Sequence, residues 1–170
     1  MNTHDILKYG HQTLTQTIEG LPLEAWQAPG VCGIWSVKDI IAHLASYEQV
    51  LVEVLLELTG GQGPTPTLND FRQAFATFND TEVEKRQALS GREVWAEYAA
   101  AHAKTLALIG EIPVAVRRQN GTLPWYGPAY DLDDFIVYTY YGHKREHSAQ
   151  IAVYRDHLEH RETYEPGLTP

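Results

Sequence analysis

One segment restricts the fold more than any other: WSVKDIIAHLASYEQVLVEVLLELTGG, residues 35–61. Ser36 stands where a helix N-cap belongs, and Asp39 three residues later approximates a capping box, in which two side chains satisfy first-turn N–H groups that lack intrahelical partners. Gly60–Gly61 supplies the stop, because glycine enters the left-handed turn at a helix C-terminus without a Cβ clash. Between these signals apolar residues recur at 37, 40, 41, 44, 51, 54, 55 and 58. That is the 3.6-residue period of a core-facing helix of about six turns.

Such a helix needs partners, and the chain offers three more. Residues 3–19 carry Ile6, Leu7, Leu14 and Ile18 on one stripe and end at Gly20–Leu21–Pro22. Ser90 with Glu93 opens a helix through about residue 112, and Asp131 caps a last one through about residue 160. Residues 59–67 are a loop of helix breakers, and 68–90 read as one or two short helices. Residues 112–130 are irregular, with Asn120–Gly121 placed to turn a small hairpin. The expected architecture is all-α: an antiparallel four-helix bundle whose longer connections carry short extra helices, over residues 1–160, with a frayed tail at 161–170.

Charge narrows the functions. Thirteen Lys plus Arg face 22 Asp plus Glu, a formal net charge of −9, which repels nucleic acid and anionic lipid alike. The adjacent pair Arg117–Arg118 is too small a basic patch to reverse this. The most apolar run, VLVEVLLEL, is short and contains Glu53 and Glu57, so no membrane span is expected. A single cysteine, Cys32, allows no internal disulfide, and no signal-peptide core opens the sequence. A cytoplasmic protein acting on a small molecule is the expectation. No phosphate-binding loop is present, since GGQG is followed by prolines.

The chemistry rests on histidine. In YGHKREHSAQI, residues 141–151, His143 and His147 stand four apart and project from one face of the last helix. Ile136, Tyr140, His143, His147, Ile151 and Tyr154 form one inward stripe. His43 lies in the apolar second helix, where a buried imidazole requires partners, a metal among them. Two ligands one turn apart and one from a facing helix leave coordination positions open, as in catalytic rather than structural zinc sites. HKREH also fits the inverted zincin pattern, with Glu146 as base, but little chain follows to bring a further ligand back. Gln150 is placed to orient a ligand, and Tyr47, one turn after His43, to border the same cavity. Trp125 and Tyr126 can form an aromatic lid before the last helix. Trp35 is read as clamping the start of the second helix, Cys32 as a buried bystander, and His102 as a neighbour of the cavity. His4, His11, His157 and His160 are assigned to the surface.

WSVKDIIAHLASYE resembles the second-helix motif of the DinB/YfiT-like superfamily of metalloenzymes, and YTYYGHKREHSAQI is similar to its last-helix motif. The resemblance spans roughly residues 1–158 and is closest in flavour to the DfsB/ClbS-type branch, which has an aromatic-rich segment before the histidine pair. It implies a helical bundle, often dimeric, with a divalent ion, zinc or nickel, held by His43, His143 and His147. It further implies hydrolysis or detoxification of a small molecule by metal-activated water, with Glu146 or Gln150 assisting. Two alternatives accompany that reading: a metal-dependent thiol S-transferase or isomerase, and a non-catalytic, stress-related metal- or ligand-binding bundle. One departure stands out, since the branch commonly has Tyr after the first histidine of the pair and this chain has Lys144.

Overall fold

Helix α2 (Val37–Leu58) is buried on nearly every side, and the other elements are arranged around it. A computed structural model describes residues 2–163. In order, the chain forms α1 (Thr3–Ile18), a 3₁₀ turn (Leu23–Gln27), α2, α3 (Pro66–Gln73), α4 (Phe75–Lys85), α5 (Gly91–Glu111) and the short α6 (Val114–Arg117). It ends in α7 (Leu132–Ile136), a π-helical segment (Val137–Tyr141) and α8 (Gly142–Thr163). The backbone stays right-handed helical through both junctions, so the last three run on as one helix. The fold is all-helical, with no strand among the described residues.

The ends form as the sequence dictates. Ser36 and Asp39, Ser90 and Glu93, and Asp131 and Asp134 each make the reciprocal capping bonds that open α2, α5 and α7. Gly20 and Gly60 take positive φ, 81° and 76°, just past the ends of α1 and α2. For α3, Thr65 offers no side-chain cap; buried Glu53 on α2 accepts the Leu68 N–H at 2.7 Å instead. An acidic residue in an apolar run thus serves a neighbouring helix terminus.

Helix α5 packs along α2, α3 and α4 cover another side of α2, and α8 lies mainly along α1. This adds Ala42, Ala45, Val50 and Val52 to the buried set beyond the expected stripe, because α2 has neighbours on all sides. Burying each large aliphatic side chain stabilises by roughly 1.5–3 kcal/mol, which offsets a backbone ordering cost of roughly 1–2 kcal/mol. Two apolar clusters result. One gathers Leu14, Ile40, Ile41, Leu44, Tyr98 and Ile151, and the other Leu51, Leu55, Phe71, Leu108, Phe135 and Tyr140. The His43–Glu48 stretch of α2 lies where they meet.

The hairpin expected at Asn120–Gly121 does not form. Gly121 adopts φ 75°, but its N–H donates to the Tyr130 carbonyl at 2.9 Å and closes a loop. Pro113, Pro124 and Pro128 deprive this region of ladder donors. The tail beyond residue 163 lies outside the described residues. None of the described helices is long and apolar enough to cross a membrane.

Candidate metal centre

The structure brings His43, His143 and His147 together, and among the described residues they are the one such group able to hold a metal ion. The Nε2 atoms of His43 and His143 are 2.7 Å apart, and those of His143 and His147 2.9 Å. His43 is 2% exposed and His147 6%, while His143 opens partly to solvent. The rings meet nearly edge-on: the His43 plane is inclined 78° to His143 and 81° to His147.

Protons alone cannot satisfy this arrangement. His143 Nε2 carries one in-plane lone pair or one N–H and has two nitrogen neighbours, so one of the three atoms is always left without a complement. Protonation is not the remedy. Burial, then the neighbouring His143 and His147, pushes His43 down to about 2. Burial, then His147 and Lys144, takes His143 to about 3. Burial also lowers His147. A cation engages all three lone pairs at once, and its ligand nitrogens would lie about 3.3 Å apart for tetrahedral bonds of 2.0–2.1 Å. A small spreading of the rings reaches that spacing. The donor set therefore fits a divalent ion.

The surrounding groups fix which nitrogen faces inward. His147 Nδ1–H donates to Gln150 Oε1 at 2.8 Å, leaving Nε2 as the lone-pair atom. His143 is hydrogen-bonded to the backbone of Thr139, within the π-helical segment. That wide turn, with Gly142 N–H bonded to the Val137 carbonyl, shifts the helix face just before the histidine pair, as such bulges do at functional sites. Trp35 packs on His43 with ring centroids 4.9 Å apart and reaches His147 at 6.5 Å, so it walls the centre as well as opening α2. Gln150→Leu is expected to weaken metal affinity about 10–100-fold, measured by isothermal titration with zinc or nickel. An unchanged affinity would mean that the tautomer is set without it.

The remaining expected residues divide between two adjoining hollows. Glu146 is exposed and lines a cleft of about 480 Å³ with His143, Tyr47, Tyr138 and Thr139. Trp125 and Tyr126 line a separate aromatic pocket of about 360 Å³, which Tyr47 and Thr139 also border. The Tyr47 ring sits 4.5 Å from His143 and separates the two hollows. Among the described residues no Asp or Glu joins the histidine group, as the inverted zincin pattern would require.

Sequence reading missed a buried polar cluster beside the centre. Lys144, 2% exposed, is ion-paired to fully buried Glu48. The other Glu48 oxygen lies 3.3 Å from His102 Nδ1. Lys144 Nζ stands 5.5 Å from the Tyr98 ring centre. The Tyr98 hydroxyl meets His11 Nδ1 at 3.2 Å, and His11 stacks on His102 at 4.2 Å. Burial opposes ionisation of Glu48, but Lys144 and His102 outweigh it and hold the carboxyl below its usual range. His11 therefore faces the interior rather than the surface, and His102 belongs to this cluster rather than to the cleft. The legible signal was the gap in the α2 apolar series between 44 and 51, where Tyr47 and Glu48 fall. Arg117 and Arg118 are engaged by Asp131 and Asp133 at 3.6–3.9 Å, so they form no free basic patch.

With this geometry in place, the comparison with known families decides the affiliation. Residues 7–133 match the family described as the mycothiol maleylpyruvate isomerase N-terminal domain. The chain belongs to that family. It is part of the DinB-like superfamily, so the resemblance read from the two helix motifs holds at that level. The matched span includes His43 and ends before His143 and His147. No curated protein and no solved structure matches the chain.

Proposed function

We propose that this protein is a metal-dependent enzyme that activates a low-molecular-weight thiol at His43, His143 and His147 for transfer to, or isomerisation of, a small electrophile. The observation that carries this reading is the convergence of three non-basic imidazole nitrogens, one of which, His143, lines a solvent-connected cleft. The family's description, a mycothiol-associated isomerase, supplies the thiol. A zinc or nickel ion at this donor set acts as a Lewis acid and favours the thiolate over the thiol at neutral pH.

The chain's own residues supply the rest. Glu146 at the rim takes the displaced proton and exchanges it with water. Gln150 and the Thr139 backbone keep two imidazoles pointed inward. Tyr47, whose pKa burial pushes up, stays a neutral phenol; its O–H donates to Asn79 Oδ1 at 3.3 Å, a long bond that a substrate acceptor in the cleft would replace. The cleft opening and the lack of a fourth ligand among the described residues favour an enzyme over a sealed metal-storage bundle. The DfsB/ClbS-type hydrolytic reading has Glu146's position in its favour, but the family weighs toward thiol chemistry. The scaffold we infer is an antiparallel four-helix bundle built of α1, α2, α5 and the last helix.

The test measures metal content in untagged protein, then thiol consumption with mycothiol and a model electrophile after loading zinc or nickel. His43→Ala should lose the metal, keep its helix content, and lose at least about 100-fold in thiol turnover. Full turnover in His43→Ala, or turnover of ester and amide substrates without thiol, would sink the proposal.

A further inference from the structure

The aromatic pocket beside the histidine cleft has no role in holding the metal, and its lining specifies a ligand class. Tyr47, Phe71, Phe75, Trp125, Tyr126 and Phe135 form its walls. Their rings meet edge to face: Tyr47 and Phe71 centroids are 5.6 Å apart, Phe71 and Phe75 5.2 Å, and Trp125 and Phe135 5.4 Å. The volume of about 360 Å³ falls in the range of small-molecule sites.

One charged group touches this pocket, and it is already satisfied. The Arg72 guanidinium lies 4.7 Å from the Trp125 ring centre and pairs with both Glu57 oxygens, at 3.0 and 3.4 Å. It presents a flat cationic face with its charge offset. A small aliphatic polyanion would lose hydration here without finding an unpaired cation. A flat π system would find ring faces, ring edges and the stacked guanidinium. Phe75, 62% exposed, adds a large apolar side chain to the lining and touches the core edge-on through Phe71.

We propose that this pocket binds the planar, conjugated and uncharged portion of the substrate, placing its reactive atom across Tyr47 and Thr139 in the histidine cleft. The substrate class is then a neutral aromatic or extended conjugated electrophile. This inference rests on the thiol reading only for the chemistry after binding; the pocket and its ligand class are testable without it.

The probes are 1-naphthol and fumarate, titrated calorimetrically into the full chain. Naphthol should bind with Kd on the order of 100 µM, and fumarate should show no measurable binding. Phe75→Ala and Trp125→Leu should each weaken naphthol about 10-fold. Phe75 is exposed, so its truncation leaves the fold intact. Val153→Ala, at an exposed position of α8 that lines neither hollow, should change naphthol affinity less than about twofold. Absent naphthol binding, unchanged affinity in both pocket variants, or preferred binding of fumarate would overturn the pocket assignment. Naphthol binding with no thiol turnover in the parent supports the pocket and overturns the enzymatic reading. Thiol turnover with no naphthol binding does the reverse.

Discussion

Lys144→Met is expected to lower the free energy of unfolding by about 3–5 kcal/mol and the melting temperature by roughly 6–20 °C. The reason is asymmetric burial. Glu48 is fully buried, and removing its ammonium partner leaves a carboxylate with one imidazole for compensation. The pair itself contributes far less than its loss costs, since both ions gave up water to form it. Glu48→Gln combined with Lys144→Met should therefore recover to within about 1–2 kcal/mol of the parent, because the neutral amide keeps a hydrogen-bonding atom for His102. Urea denaturation of the parent, Lys144→Met, Glu48→Gln and the double variant gives the cycle. A double variant as unstable as the single would mean that Lys144 matters through packing against Tyr98 and Gly10 rather than through charge.

That pair also bears on the metal centre. Lys144 follows His143 directly, and Glu48 lies five residues after His43, so one ion pair and one histidine contact join the same two helices. Helix α8 lies mainly along α1 and meets α2 only over a short stretch. The Lys144–Glu48 contact is thus placed to fix the register in which His143 and His147 face His43. Metal affinity of the folded Lys144→Met protein, measured well below its melting temperature, should fall with stability.

What was legible in the sequence depends on which forces act locally. The three reciprocal caps depend on residues three apart, so Ser36, Ser90 and Asp131 announced their helices. His143 and His147 share a face by helical period alone. Bringing His43 onto that face is a tertiary event, legible through the resemblance of two motifs and not through spacing. The π segment was illegible, because five helical residues with one extra per turn leave no compositional mark in VYTYY. The buried cluster was hidden for another reason: Lys144, Glu48 and His11 look like ordinary surface residues until four helices converge on them. The prolines of residues 113–128 carry the information that Asn120–Gly121 does not become a hairpin, since each removes a ladder donor.

Acid should destabilise the metal-free protein from about pH 6.5 downward, well above the range where carboxylates titrate. In the unfolded chain imidazoles take up protons near pH 6.5, whereas native His43 holds off until about 2 and His143 until about 3. Between these limits the unfolded state binds more protons, so stability falls as pH falls. His43 alone contributes a slope of up to about 1.4 kcal/mol per pH unit, or roughly 3 kcal/mol from pH 7 to 4.5. His143, partly open to the cleft, adds in the same direction with a smaller weight. Against a typical total of 5–15 kcal/mol this is a large share. Glu48 acts later: its carboxyl is held below the ordinary range, so its stabilisation is present above about pH 4.5 and lost below it. Urea midpoints at pH 7.5, 6.5, 5.5 and 4.5, with metal chelated, read the slope directly. His43→Asn should flatten it above pH 4.5. A parent profile already flat between pH 6.5 and 5 would show that the imidazoles protonate freely in the folded protein, which is incompatible with three neutral nitrogens converging on one point.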